Sequence, residues 1–157
     1  MKSSTFLRIA AVITLLYFAG HTASIPWTPD AGPGATPLLE AMKAHSFDVV
    51  GVKRTYWDFY FGFGVIISGY LFVQAVVLWQ LGSLAKREPS KVRAIIVSFF
   101  VAFIVNAFLS WKYFFPIPLI MASLISVCLG LALFFSGRSS GAQTIVESEQ
   151  PERELQG

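Results

Sequence analysis

YWDFYFGFGVIISGYLFVQAVVLWQLGSL, residues 56 to 84, decides how the rest of the chain is read. After Asp58 no charged residue appears until Lys86, and roughly 20 apolar residues in a helix suffice to cross the hydrocarbon of a bilayer. The run is therefore long enough to span. Its first turns carry Tyr56, Trp57, Phe59, Tyr60, Phe61 and Phe63. Tyr and Trp favour the headgroup level because each joins an apolar ring to a polar tip. The stretch reads as a membrane helix with an aromatic collar at one end.

On the far side of this helix lies AKREPSKVR, a polar connector in which Lys86, Arg87, Lys91 and Arg93 crowd around the turn Glu88-Pro89-Ser90. A basic cluster in a short loop marks the cytoplasmic face. A third span follows over about 94 to 111, uncharged until Lys112, and a fourth over about 115 to 135, uncharged until Arg138. Between them YFFPIP supplies a tight turn, with prolines where a helix start does not need their missing N–H donors. Short connections make the second, third and fourth helices sequential antiparallel neighbours.

At the amino-terminal end, Lys2 and Arg8 precede an uncharged run from Ile9 to Pro29. The pattern has the basic start and apolar core of a signal peptide. Its cleavage positions are poor, however: cutting after Ala23 or Gly20 sets His21 or Phe18 where a small residue is wanted. A retained first helix over about 6 to 24 is expected, with Arg8 snorkelling to the headgroups. Residues 25 to 55 form the one sizeable extramembrane loop. IPWTPDAGPGATP is too rich in Pro and Gly to stay helical. From Pro37, capped by Thr36, the recurrence of Leu38, Leu39, Met42 and Phe47 predicts a short amphipathic helix on the membrane surface or over the bundle mouth.

The composition agrees with this reading. Of 157 residues, 55% are hydrophobic and 13% charged, whereas soluble domains carry about a quarter charged residues. The net charge of +3 does not form a stripe interleaved with exposed aromatics, so no nucleic-acid partner is expected. With the amino terminus inside and Arg153 of the distal tail left aside, the cytoplasmic face holds Lys2, Arg8, Lys86, Arg87, Lys91, Arg93 and Arg138, against Lys43, Lys53, Arg54 and Lys112 outside. The expected fold is an all-α membrane protein, a four-transmembrane-helix antiparallel bundle with both termini cytoplasmic and a short amphipathic helix in the first external loop. Residues 1 to 137 form the transmembrane domain. Residues 138 to 157, acidic and without a hydrophobic period, are expected as a disordered cytoplasmic tail.

That topology sets His21, Asp58, Trp111 and Lys112 at one depth on the external side, with Tyr56, Tyr60 and Asn106 within reach. These are the candidate ligand-binding residues. Asp58 is the most informative of them, because a carboxylate at the edge of hydrocarbon is costly unless paired or wetted. Its expected partners are Arg54 and Lys112, and an anchoring ion pair is the plain alternative to a ligand mouth. Neither His21 nor His45 lies in a metal-binding spacing such as HExxH, so no metal and no cofactor is expected. The single cysteine, Cys128, excludes an intrachain disulfide and thiol-relay chemistry. No chain of ionisable groups crosses the membrane, which argues against an ion-coupled transporter.

The segment YWDFYFGFG, with the His-containing helix and AMKAHSFDVVGVKR before it, resembles a group of small uncharacterised bacterial four-helix inner-membrane proteins. The resemblance covers roughly residues 6 to 135 and implies a multi-pass location in the cell inner (plasma) membrane, without implying an activity. Four-helix sterol isomerases and sterol-binding receptors are similar in helix count, but here no pair of buried carboxylates matches isomerase chemistry. Three functions follow. The first is binding of a membrane lipid or other hydrophobic or amphipathic molecule, isoprenoid or sterol-like, in a bundle cavity open to the external side. The second is an enzyme on a lipid or isoprenoid substrate, with His21 or Asp58 as acid or base. The third is a structural or accessory subunit that pairs with itself as a homodimer or with another membrane protein through small-residue faces.

Overall fold

The computed structural model of the protein describes residues 2–25 and 34–154, with side chains as far as residue 136 except that of Pro89. In chain order the elements are α1 (Lys2–Ser24), α2 (Ala35–Ala44), β1 (Ser46–Val49), β2 (Val52–Thr55), α3 (Tyr56–Leu84), α4 (Pro89–Tyr113) and α5 (Pro116–Glu154). Among the described residues four helices are long and apolar enough to cross a membrane: Lys2–Ser24, Tyr56–Leu84, Ser90–Tyr113 and Pro116–Ser136. The chain is thus a multi-pass membrane protein by length and composition. The 29 residues of α3 extend to roughly 43 Å at about 1.5 Å per residue. That exceeds the roughly 30 Å of hydrocarbon, so its aromatic first turns reach beyond the hydrocarbon when its other end is seated.

The chain divides into two compact units, residues 1–15 with 74–157 and residues 16–73, the boundary falling within α1 and α3. In the first unit, Leu7, Ala10, Ala11 and Thr14 form the buried stripe of α1, and Ala75, Leu78 and Leu81 that of α3, with buried Ala85 just past its end. Their spacing of three and four is the helical period of one face. Here the Ser4 hydroxyl donates to the Gly82 carbonyl. A Cβ on Gly82 would lie 3.0 Å from Arg8 Cγ and 3.3 Å from the Ser4 carbonyl oxygen, so glycine lets α1 and α3 approach here without either neighbour giving way. Arg8 lays its guanidinium 5.0 Å from the Trp79 ring centroid, combining a charge with an aromatic face. Phe6 stacks on Phe135 at 5.6 Å.

α4 and α5 pack side by side in the same unit, joined across Phe114 and Phe115. Val92, Ile96 and Phe103 on α4 and Ala122, Ile125, Leu129 and Ala132 on α5 are buried. Pro116 and Pro118 occupy the first turn of α5, where backbone N–H groups lack helical partners anyway. Buried Thr14 and Ser126 donate their hydroxyls to the carbonyls of Ala10 and Ala122, each at 2.8 Å. They are satisfied within their own helices and need no partner across the bundle. The α5 backbone stays helical to Glu154, through the segment expected as a disordered tail. Ala142, Gln143, Glu147, Glu149 and Gln150 there are good helix formers.

The second unit departs from sequence expectation in the loop. α2 begins at Ala35 with Gly34 at its cap position and no side-chain capping bond, so Thr36 and Pro37 lie within its first turn. It ends at Ala44, and Phe47 belongs to β1 instead of continuing the helical face. β1 and β2 pair antiparallel with Ser46 opposite Thr55, Phe47 opposite Arg54, Asp48 opposite Lys53 and Val49 opposite Val52. SFDV alternates polar and apolar side chains ahead of Val50-Gly51, whereas VKRT is apolar only at Val52, so the strand signal is weak and the preceding helix obscures it. Residues 26–33, expected as turns, lie outside the described residues.

Candidate functional site

Two polar arrangements in the second unit stand out, the first built by helix-end chemistry and the second by contacts between helices. The first surrounds Asp58. Thr55 immediately precedes α3, and Asp58 is the third residue of that helix. The Thr55 backbone N–H donates to Asp58 Oδ2 at 2.8 Å, and the Asp58 backbone N–H donates to Thr55 Oγ1 at 3.1 Å. This is a reciprocal capping box, in which two otherwise orphaned donors at a helix start are satisfied by each other's side chains. A carboxylate in the first turn also opposes the positive end of the helix dipole. The expected ion pair of Asp58 with Arg54 is not formed; Arg54 instead donates from Nη1 to the Lys53 carbonyl at 2.8 Å. Among the described residues the ion pair is Lys91 with Glu88, at the start of α4.

The second arrangement lies where the last turns of α1 meet α3. His21 Nε2 is 3.0 Å from the Gly64 carbonyl oxygen, and Thr22 donates from Oγ1 to Ser68 Oγ at 3.0 Å. Phe18 and Phe72 meet at 5.5 Å, and the partners descend α3 as α1 ascends, so these segments run antiparallel. Facing a carbonyl, Nε2 must be the protonated nitrogen. In the neutral tautomer that donates from Nε2, Nδ1 is an acceptor, and no partner for it is found among the described residues. His21 is half-buried, Thr22 half-buried and Ser68 buried. The result is a patch of hydroxyl and imidazole groups on two helices rich in apolar side chains.

The other candidates occupy ordinary aromatic and surface settings. Tyr56 packs on His45 at 5.3 Å and on Phe47 at 4.9 Å. Tyr60 lies 5.9 Å from Trp57, which receives the Lys43 ammonium at 5.2 Å. Asn106, Trp111 and Lys112 belong to α4 in the first unit: Asn106 Oδ1 accepts from Ser110 at 3.4 Å, Trp111 meets Phe108 at 6.0 Å, and Lys112 lies over Tyr113 at 5.2 Å. Within the second unit, His21 and Asp58 each have their own partner and share no hydrogen bond.

Sequence reasoning singled out Asp58 but missed Thr55, although T-x-x-D ahead of an apolar run is the signature of a capping box. It likewise passed over Thr22, whose role depends on a cross-helix partner that no local spacing reveals. Compared with known proteins, the chain matches no family model, no curated protein and no solved structure.

Proposed function

We propose that this protein resides in the cell inner (plasma) membrane with both termini cytoplasmic and holds a hydrophobic or amphipathic molecule by its polar end. The polar end docks at the His21–Thr22–Ser68 patch. The observation that carries this reading is the imidazole of His21, fixed by the Gly64 carbonyl through Nε2 so that Nδ1 is left as an acceptor. An ionisable group within a membrane span is a functional candidate because its desolvation is costly unless used. The acceptor suits a molecule that offers a hydroxyl or amide donor and otherwise contacts hydrocarbon, as a lipid, isoprenoid or sterol-like alcohol does. The basic loop 86–93 supports the orientation. Asp58, occupied by its capping box, is a structural residue in this account and not the ligand's anchor.

Thermal melting of the detergent-purified protein tests the reading, with and without added membrane-lipid extract. A ligand that binds only the folded protein raises its melting temperature. The wild type is expected to shift upward with extract, and His21→Phe to melt cooperatively without that shift. Equal shifts in both would reduce His21 to a bond between helices.

A further inference from the structure

The β1–β2 hairpin has two chemically different faces. Residues paired across an antiparallel ladder lie on the same face, and successive residues alternate. Phe47, Arg54, Val49 and Val52 therefore share one face, and Ser46, Thr55, Asp48 and Lys53 the other. The inner end of the apolar face is covered: Phe47 packs on Tyr56 at 4.9 Å and on Phe59 at 5.4 Å. Its outer end is bare, with Val49 42% and Val52 46% exposed.

The turn joining the strands is unusual for its sequence. Val50 has φ +54° and Gly51 φ +80°, the pair of positive angles of a type I′ turn, where Asn-Gly or Asp-Gly is favoured. Asp48 Oδ1 steadies it by accepting the Gly51 N–H at 2.8 Å. A β-branched residue in the left-handed region is an outlier, and Val50 is 97% exposed, so no packing of its side chain within the protein offsets its conformation. Strain of this kind points from an observed outlier to a use outside the fold.

The geometry points to the lipid interface as the occupant: the Val49-Val50-Val52 tip and its apolar face dip into the headgroup and upper acyl region beside α3. Continuity identifies the occupant. The apolar face passes through Phe47 to Phe59, and Phe59 lies 6.1 Å from Phe63, which is itself exposed on the membrane-spanning helix. One apolar strip therefore runs from the hairpin onto the surface that α3 offers to lipid. Arg54, on the same face, supplies a cation for a lipid phosphate, while Asp48 and Lys53 remain on the wet side. This inference depends on α3 spanning the membrane and is independent of any ligand at His21.

The test uses the full chain in vesicles of phosphatidylethanolamine and phosphatidylglycerol, in a Cys128→Ser background. Nitroxide labels are placed by Val49→Cys, Val50→Cys and Lys53→Cys, and relaxation by oxygen, which concentrates in lipid, is compared with relaxation by a water-soluble nickel chelate. Labels at 49 and 50 are expected to respond more to oxygen, and the label at 53 more to nickel. Should labelling at 50 disturb the turn, Val52→Cys reads the same face. An equal nickel response at all positions would place the tip in water and overturn the inference. So would protection of positions 49 and 50 from both relaxants, or spin–spin broadening there that disappears on dilution with unlabelled protein. Those two results would identify a protein partner and a second copy, respectively.

Discussion

Replacing Thr55 by Ala removes the hydroxyl that accepts the Asp58 N–H at 3.1 Å and leaves that donor at the start of α3 without its partner. Loss of a Thr cap costs about 1 kcal/mol. If this appears as easier local opening of the first turn, the Asp58 amide should exchange with solvent about fivefold faster, since RT is about 0.59 kcal/mol. Hydrogen exchange of the detergent-purified protein measures this directly. Thr55→Ser keeps an acceptor and should remain near wild type. Asp58→Ala breaks the reciprocal bond, and in the double variant the two effects should be less than additive because one geometry supports both bonds. The ion-pair account makes the opposite forecast: Arg54→Met or Lys112→Met would loosen the turn and Thr55→Ala would not. That outcome would refute the capping-box assignment.

Two glycines on α3 give a contrast that needs no ligand. Gly62→Ala meets no atom within 4 Å and should leave the melting temperature unchanged or raise it, because Ala gains about 1 kcal/mol over Gly in a helix. Gly82→Ala drives its methyl group toward the Ser4 carbonyl oxygen and the Arg8 side chain. Overpacking costs about 1–3 kcal/mol against the same propensity gain of about 1 kcal/mol, so Gly82→Ala should melt below Gly62→Ala; the reverse order would contradict the close approach. For orientation, Cys128→Ser variants carrying Asp30→Cys or Ser90→Cys are exposed in intact cells to an impermeant thiol reagent. Labelling is expected at 30 and not at 90, and the reverse pattern would invert the membrane topology. Asp30 lies outside the described residues, so this experiment rests on charge placement alone.

The four long helices were legible because an uncharged run long enough to cross hydrocarbon leaves few alternatives, and α3, α4 and α5 all have one. The hairpin was not legible. Leu38, Leu39 and Met42 set a helical rhythm that Phe47 happens to continue, while the strand signal is only four residues on each side of an atypical Val-Gly turn. Asp58 was correctly noticed as a carboxylate that needs a partner. Opposite charges are the partners that sequence spacing suggests, whereas a helix start provides backbone N–H groups and a neighbouring hydroxyl at lower desolvation cost. Thr22 with Ser68 and His21 with Gly64 depend on how two helices are rotated about their axes. Apolar residues surround both helices almost evenly, so no periodicity in the sequence fixes that rotation.

Native mass spectrometry of the intact protein released from mild detergent examines the proposed ligand seat most directly. Wild type should carry a discrete bound mass of one chemical class, bearing a hydroxyl or amide donor on a hydrocarbon body. Asp58→Ala should retain that mass, and His21→Phe, verified as folded by its melting transition, should lose it. The same bound mass at the same occupancy on wild type and His21→Phe would contradict the account.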